Sequence, residues 1–299
     1  MSRSTVSGVT KAAKRTQLPL ERILSRALWR RFDPLALLGI VLVVAAWQIA
    51  SHFVAASVLP SPFSVGRRIV GDFWVARELA YYGLGKTGLF GSLIYTGANV
   101  LAAVSAGSLV GIAVGLLAAR SNWLGPLVQP IMLIVGTVPT LVIAPFFLIW
   151  FGVGRGSSIM LVLLYCAAIL YVFAQRAADN LDPVFENYAR TLGASPRGVI
   201  RDVLIPGTVP QILGGIRIAL AGAWGIEAIV ELLGAQQGIG KIVSVLAQSI
   251  DIEGIFAALI VLGLVAIAFD VLTAWVIQHL SPWSPAVNRH KEQSNVFNS

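Results

Sequence analysis

The stretch YARTLGASPRGVIRDVLIP, from Tyr188 to Pro206, carries three arginines and one aspartate, yet long apolar runs lie on both sides of it. Three of its residues are typical of helix ends. Gly193 can adopt the left-handed backbone that stops a helix, and Ser195 followed by Pro196 is a favoured N-cap and first-turn pair. The stretch therefore predicts a polar hairpin of two short helices between two membrane-spanning segments.

The first helix of this hairpin is predicted over residues 183–192, with Asp182 as its N-cap and Pro183 in its first turn. The second helix is predicted from Pro196 to about Leu204, and Pro206 is expected to end it before the next span. Its apolar face consists of Val199, Ile200, Val203 and Leu204. A solvated connector is one interpretation, but a capped helix with an apolar face favours contact with a partner or with the membrane surface.

Composition indicates a membrane protein. Of the 299 residues, 57% are hydrophobic and 12% are charged, about half the charged share of ordinary soluble domains. Cys166 is the one cysteine, which excludes a disulfide framework, and we expect no metal site. Eight of the 22 Lys and Arg residues lie in residues 1–31, as in the cytoplasmic flanks of membrane helices. We therefore expect membrane lipid around the chain and no nucleic-acid partner.

Six segments are long enough to cross a bilayer, which takes about 20 mostly apolar residues. They are predicted over residues 34–59, 92–119, 125–151, 157–174, 209–233 and 254–280. The first run is too long for the core of a cleaved signal peptide, so we expect it to remain as an anchor. Gly107, Gly111 and Gly115 share one face of the second span, where small residues allow close helix packing.

The third span contains four prolines, which predict a broken or kinked helix. They are Pro126, Pro130, Pro139 and Pro145.

The distribution of positive charge predicts the orientation. With the N-terminus inside, the inner segments hold 15 of the 22 Lys and Arg residues and the outer segments hold 6. This bias predicts that both termini and the polar hairpin are cytoplasmic. The predicted organisation is a basic cytoplasmic segment over residues 1–33, a membrane domain over 34–280 with the hairpin loop at 183–208, and a cytoplasmic tail over 281–299.

The link after the first span contains GLGKT at residues 83–87, which invites comparison with a phosphate-binding loop. That motif requires a glycine five residues before its second glycine, and Ala80 stands at the corresponding position. The link is instead predicted to form an amphipathic helix from Val65 to Tyr82 at the membrane interface. Its aromatic residues at headgroup level are Phe73, Trp74, Tyr81 and Tyr82.

The hairpin resembles the cytoplasmic EAA loop of binding-protein-dependent ABC transporter permeases. Gly193 and Pro206 keep the spacing of that motif, Tyr188 and Ala189 occupy its two alanine positions, and Asn187 replaces its glutamate. Glu186 lies one residue earlier, and Val203 and Ile205 occupy the Ile and Leu positions that precede the proline.

Three further segments resemble the nitrate, sulfonate and taurine branch of these permeases, over about residues 35–280. LPSP at 59–62 follows the first span, and VPTLVIAPFFLIWFGVG at 138–154 matches the proline-rich third span. In GGIRIALAGAWGIEAIVELLGAQQGIG at 214–240, the branch's spacing of tryptophan, glutamate and two glycines is kept by Trp224, Glu231, Gly238 and Gly240.

The resemblance implies an all-α integral membrane protein with six transmembrane helices and the MetI-like fold of type I ABC importer permeases. It implies a bacterial inner-membrane location, two ABC ATPase subunits below, a second permease copy as a homodimer, and a periplasmic or lipid-anchored solute-binding protein. The chain would bind no cofactor and would not be an enzyme, because ATP and Mg would be used by the ATPase partner.

The resemblance also assigns candidate residues. Those for docking the ATPase are Glu186, Asn187, Tyr188, Ala189, Gly193, Ala194, Ser195, Arg197, Arg201 and Pro206. Those for the translocation pathway are Pro139, Pro145, Trp224 and Glu231. Glu227 has no counterpart in the family pattern and is added as a pathway candidate because it is a charge inside the fifth span. No catalytic and no metal-binding residue is assigned.

Charges inside the spans are costly and tend to face a cavity or a partner. Glu227 and Glu231 lie four residues apart on one helix face, where lining the pathway and structural hydrogen bonding are both open. Arg217 is expected to extend to the inner interface, and Asp270 is the fourth such charge. An ion-coupled carrier or channel using these acids is the alternative function, although a carrier needs no ATPase dock.

The solute is not decided by the sequence. Nitrate, sulfonates, taurine, bicarbonate and some neutral heterocycles are all consistent with the branch that the chain resembles.

Overall fold

A computed structural model describes residues 34–76 and 88–280, together with Leu79, Tyr81 and Leu84 between them. The predicted cytoplasmic segment 1–33, the tail 281–299 and most of GLGKT lie outside these residues. The chain divides into two compact units, Met1–Ala55 and Ala56–Ser299. The described part of the first unit is helix α1, Pro34–Phe53, whose 19 residues from Leu35 are long and apolar enough to span a membrane.

Every regular element in the described part of the second unit is a helix. Its helices are α2 (Pro62–Asp72), α3 (Gly88–Arg120), α4 (Leu124–Thr137), α5 (Thr140–Phe151), α6 (Arg155–Asp179), α7 (Pro183–Thr191), α8 (Pro196–Val199), α9 (Ile205–Gly234), α10 (Ile239–Gln248) and α11 (Ile252–Leu280). A π-helical turn, Ile200–Leu204, joins α8 to α9.

The number of candidate spans agrees with the sequence. Four single helices, α1, α3, α6 and α11, are long and apolar enough to cross a bilayer. Two bent pairs raise the number to as many as six: α4 with α5, which meet at 99°, and the continuous helix Pro196–Gly234 with α10, which meet at 48°. Helix α1 ends six residues before the predicted end of the first span, and the helix of the fifth span begins well before the predicted residue 209. Helix α6 gains about a turn at its C-terminal end.

The break in the third span is confirmed, and it lies at one place. Val138 is extended, with φ −73° and ψ 123°, and Pro139 precedes the first turn of α5. Pro130 and Pro145 lie inside α4 and α5, where a single missing N–H is tolerated. The chain therefore turns sharply, by 99°, between two short helices instead of bending gradually.

Helices α3 and α6 form the most extensive helix–helix interface, and the predicted glycine face accounts for it. Gly107, Gly111 and Gly115 are all buried in this interface. A Cβ atom on Gly111 would collide with the backbone of Ala167, and one on Gly115 would collide with Tyr171. The absence of side chains lets the two backbones touch, which is how helices associate where lipid removes the hydrophobic driving force.

The amphipathic helix predicted from Val65 to Tyr82 is shorter than expected. Helix α2 ends at Asp72 because the chain turns there to meet the start of α3. Gly88, with φ +53°, lies against the carbonyl of Asp72, and the N–H of Phe90 donates to the carbonyl of Phe73 at 2.9 Å. Trp74 and Tyr81 are exposed, as expected for interface aromatics. Tyr82 lies outside the described residues.

The prediction that Pro206 ends the second hairpin helix is wrong. A proline in a regular helix lacks the N–H that would bond to the carbonyl four residues earlier, and its ring collides with that carbonyl. The π turn relieves this conflict by widening the helix immediately before Pro206, where the N–H of Ile205 bonds to the carbonyl of Ile200. The helix therefore runs from Pro196 to Gly234 as one candidate span element.

Candidate functional site

The polar hairpin has the helix ends that its sequence predicts. The side chain of Asp182 accepts a hydrogen bond from the N–H of Val184 at 2.9 Å, and that of Ser195 accepts one from Gly198 at 3.2 Å. Gly193 has φ +89°, and the N–H of Ala194 returns to the carbonyl of Ala189 at 3.0 Å. This pattern is a Schellman motif, which requires a left-handed residue after the helix.

The residues assigned to ATPase docking are therefore collected on one hairpin. Asn187, Tyr188, Arg197 and Arg201 are exposed, while Glu186, Ala189 and Ala194 are partly buried. Pro206 is exposed within the continuous helix.

The hairpin has large apolar side chains that are exposed and pack little against the rest of this chain. No residue of α7 is buried, and Val184, Phe185, Tyr188 and Leu192 are between 59% and 71% exposed. Between α7 and the second hairpin helix lies a cavity of about 390 Å³. Its lining comprises Leu181, Phe185, Tyr188, Ala189, Leu192, Asp202, Val203 and Gly207. An exposed apolar face next to a groove is typical of a protein docking surface.

Two connections tie this hairpin to the membrane helices. Arg120, the last residue of α3, binds Glu186 through Nε at 2.9 Å and through Nη2, and Nη2 also donates to the carbonyl of Ala178 at 3.0 Å. The Glu186 side chain is only 14% exposed. The second connection is the continuous helix that starts at Pro196 and becomes α9. A displacement of the hairpin is therefore transmitted to both α3 and α9.

The candidate pathway residues fall into two groups. Pro139 and Pro145 are exposed on α5 and its N-terminal end. Trp224 is buried, packs against Phe269 with ring centres 5.4 Å apart, and borders an apolar cavity of about 590 Å³. Glu227 and Glu231 have no exposed surface. In the single chain, both acids lie inside the helix bundle, which favours structural hydrogen bonding over lining of the pathway.

Glu231 holds the bend between α9 and α10. Its carboxylate accepts hydrogen bonds from the Thr96 hydroxyl at 2.8 Å and from the Gly240 N–H at 2.9 Å. The N–H of Ile239 donates to Thr96 Oγ1 at 3.0 Å. Gly238, with φ +105°, lies so close to the carboxylate that a Cβ atom would overlap it. The spacing of Glu231, Gly238 and Gly240 thus lets the carboxylate accept a hydrogen bond from the first turn of α10 and cap that helix.

Glu227 lies one turn earlier and belongs to a second polar group. The amide of Asn99 donates to Glu227 Oε1 at 2.9 Å, and Arg155 Nε donates to Asn99 Oδ1 at 2.6 Å. Thr96, Asn99, Arg120 and Arg155 were not singled out from the sequence. The available signal was weak: Thr96 and Asn99 are polar residues one turn apart in an otherwise apolar helix.

The guanidinium of Arg217 pairs with Asp270 of α11, with Nε to Oδ1 at 2.5 Å and Nη2 to Oδ2 at 2.6 Å. This two-point contact joins α9 to α11 and neutralises both charges, which lowers the cost of placing them in the membrane helices.

Among the described residues, no group of three or more His, Cys, Asp or Glu side chains is placed to hold a metal ion.

A family match and two named relatives agree on the kind of protein that this chain resembles. Residues 111–284 match the family described as binding-protein-dependent transport system inner membrane component. The taurine transport system permease protein TauC of Escherichia coli is 30% identical over 185 residues, covering 62% of this chain and 67% of TauC. The nitrate import permease protein NrtB of Synechococcus elongatus is 30% identical over 253 residues, covering 81% of this chain and 87% of NrtB.

Solved structures show the same fold. The inward-facing MetNI methionine ABC transporter matches with a TM-score of 0.58 at 20% identity, covering 64% of this chain and 95% of the matched chain. A bacterial ABC transporter involved in alginate import matches with a TM-score of 0.56 at 15% identity, covering 88% of this chain and 99% of the matched chain.

Proposed function

Because this chain belongs to the family of binding-protein-dependent transport system inner membrane components, we propose that its polar hairpin is the site where an ABC ATPase docks. The chain is the permease subunit of an ATP-driven ABC importer and has the MetI-like fold. It is a multi-pass protein of the inner membrane. The exposed apolar face of α7, beside the groove and between the two capped helices, carries the docking proposal.

The geometry supports a mechanical role for the hairpin. An ATPase that grips α7 and α8 acts on α3 through the Arg120–Glu186 pair and on α9 through the continuous helix. Movement of α9 reaches the bend at residues 235–238, where Glu231 holds the start of α10. Closure of two ATPase subunits would thus displace the hairpins and tilt the spans attached to them.

The assembly is proposed to contain two copies of this chain, two ATPase subunits and an extracytoplasmic binding protein. A second copy is proposed because one chain with at most six candidate spans would supply half of a pathway. Both termini and the hairpin are proposed to be cytoplasmic, as the positive charges predict.

ATP and Mg are assigned to the partner subunits in this proposal. The GLGKT segment departs from a phosphate-binding loop at Ala80, and the predicted orientation places it outside the cell.

The proposed solute is a small anion. Among the relatives that this chain matches are permeases named for taurine, aliphatic sulfonates and nitrate. The Arg155 guanidinium, whose terminal nitrogens donate to no acceptor among the described residues, also supports an anionic group on the solute.

The test is reconstitution of the complex in proteoliposomes with the binding protein outside and ATP inside. ATP-dependent uptake of taurine, ethanesulfonate or nitrate is expected. The proposal is wrong if the chain alone moves its solute down an ion gradient in the absence of nucleotide.

A further inference from the structure

Arg155 is a fixed guanidinium with unused donors. It begins α6 at the end of the bundle opposite the hairpin, and its side chain is exposed. Nε donates to Asn99 Oδ1 at 2.6 Å, and the guanidinium carbon lies 5.4 Å from the centre of the Tyr95 ring. Asn99 therefore fixes one edge of the guanidinium, and the Tyr95 ring packs against its face. Within the described part of the chain, neither terminal nitrogen donates to a protein acceptor.

The charge of Arg155 is also not neutralised by a direct partner. Arg68, Arg120 and Arg217 each lie within 3 Å of a carboxylate oxygen. Arg155 forms no salt bridge with any carboxylate in the described residues, but its charge attracts Glu227, which binds the same Asn99 amide. The guanidinium is thus held in place with its terminal nitrogens free to bind an anion from outside the chain.

The position of Arg155 is recessed. Its partner Asn99 lies eleven residues from the start of α3, and Glu227 lies seven residues from the end of α9. At 1.5 Å per residue, the guanidinium is about 10 to 16 Å inside the ends of its neighbours. An exposed charge is far less costly in water or against protein than against lipid, so this recessed position favours a water-filled route or a protein surface.

We infer that Arg155 receives the anionic group of the solute during translocation. This rests on the proposed function and names a residue that contacts the solute. The two free terminal nitrogens form a planar fork, which matches two oxygens of one oxyanion. Asn99 and Tyr95 position the fork, and Arg155 itself contacts the solute.

The first test measures the local charge without any solute. Cysteine is placed at Val153 or Gly156, both exposed beside Arg155. The native Cys166 is fully buried, so background labelling is low. In the complete complex, labelling rates are measured for the negative 2-sulfonatoethyl and the positive trimethylammonium methanethiosulfonate reagents. The ratio of the negative to the positive rate should be about tenfold higher with Arg155 than with Arg155→Gln. Arg155→Lys should keep most of the preference.

The second test restores the charge chemically. Arg155→Cys should lose most of the uptake of taurine, ethanesulfonate or nitrate, whichever the wild-type complex carries. The positive 2-aminoethyl reagent should restore uptake several-fold, whereas methyl and 2-sulfonatoethyl reagents should not.

Each contrary result is decisive. If neither cysteine reacts in any nucleotide state, the position faces lipid or a packed interface and the inference is wrong. A reagent preference that Arg155→Gln leaves unchanged also overturns it, as expected if Arg155 pairs with a second permease copy. Absence of wild-type uptake of all three probes contradicts the proposed solute, while the labelling test still decides the role of Arg155.

Discussion

The carboxylate of Glu231, near the end of α9, accepts a hydrogen bond at 2.9 Å from the backbone N–H of Gly240, in the first turn of α10. This contact spans the 48° bend between the two helices. Thr96 of α3 binds the same carboxylate and the neighbouring Ile239 N–H, so three helices meet at one fully buried acid. The bend is thus set by a buried hydrogen-bond network and not by chain flexibility.

Removing the Glu231 carboxylate should destabilise this bend. Glu231→Ala leaves the Gly240 N–H and the Thr96 hydroxyl without their acceptor in a buried site, which costs about 1–3 kcal/mol per group. The apparent melting temperature of the purified complex should fall, as measured by fluorescence-detected size exclusion. Glu253→Gln, at the partly exposed start of α11, is the matched control and should leave it unchanged. A Glu231→Ala protein as stable as wild type would contradict the role of the carboxylate.

Gly238→Ala should be as damaging as loss of the glutamate. Alanine is strained at φ +105°, and its Cβ would overlap the Glu231 carboxylate. Gly263→Ala is the control, because this glycine lies within α11 and a Cβ atom added to it would meet no heavy atom within 4 Å. We expect a lower melting temperature and reduced yield for Gly238→Ala only. Equal behaviour of the two variants would argue against the close approach of Gly238 to the carboxylate.

The glycine face between α3 and α6 predicts a second stability effect. Gly111→Ala would drive a methyl group into the backbone of Ala167, so the helices must separate and lose contact along their interface. The expected loss is about 1–3 kcal/mol. Gly136→Ala, in α4, meets no neighbouring atom and serves as the control. Thermal stability in detergent distinguishes them, and unchanged stability of Gly111→Ala would show that the interface can relax.

Gly193 provides a test of coupling. A β-branched residue at φ +89° is strained by about 1–2 kcal/mol, but a Cβ atom there would meet no heavy atom within 4 Å. Gly193→Val should therefore leave the permease inserted and folded while it displaces α7 relative to α8. ATP-dependent uptake should fall well below that of Gly198→Ala, a helical position in ordinary contact with its neighbours. Normal uptake by Gly193→Val would mean that the hairpin is not the dock.

The Arg120–Glu186 pair predicts a non-additive effect on transport. Arg120→Ala and Glu186→Ala each remove the side-chain link between α3 and the hairpin, so each should lower uptake per ATP hydrolysed. The double variant should be little worse than either single one, because both remove the same contact. Uptake and ATP hydrolysis are measured together in proteoliposomes. Additive losses would indicate that the two residues act separately.

Local features of the hairpin could be predicted from the sequence because they depend on neighbouring residues. The Asp182 and Ser195 caps and the Gly193 turn form through hydrogen bonds between residues no more than five apart. Pro206 shows the limit of such rules. Its effect as a helix breaker is offset by the π turn before it, in which the N–H of Ile205 bonds to the carbonyl of Ile200.

An apolar, multi-span helical protein with a capped polar hairpin follows from the amino-acid order alone, since span length, charge bias and capping are properties of short segments. The roles of the charged residues depend on how the helices pack. Glu231 binds Thr96 from 135 positions away, and Arg217 binds Asp270 from 53 away. In helices that are apolar on nearly every face, the sequence does not indicate which side meets which neighbour. The orientation of each charge is fixed when the helices pack.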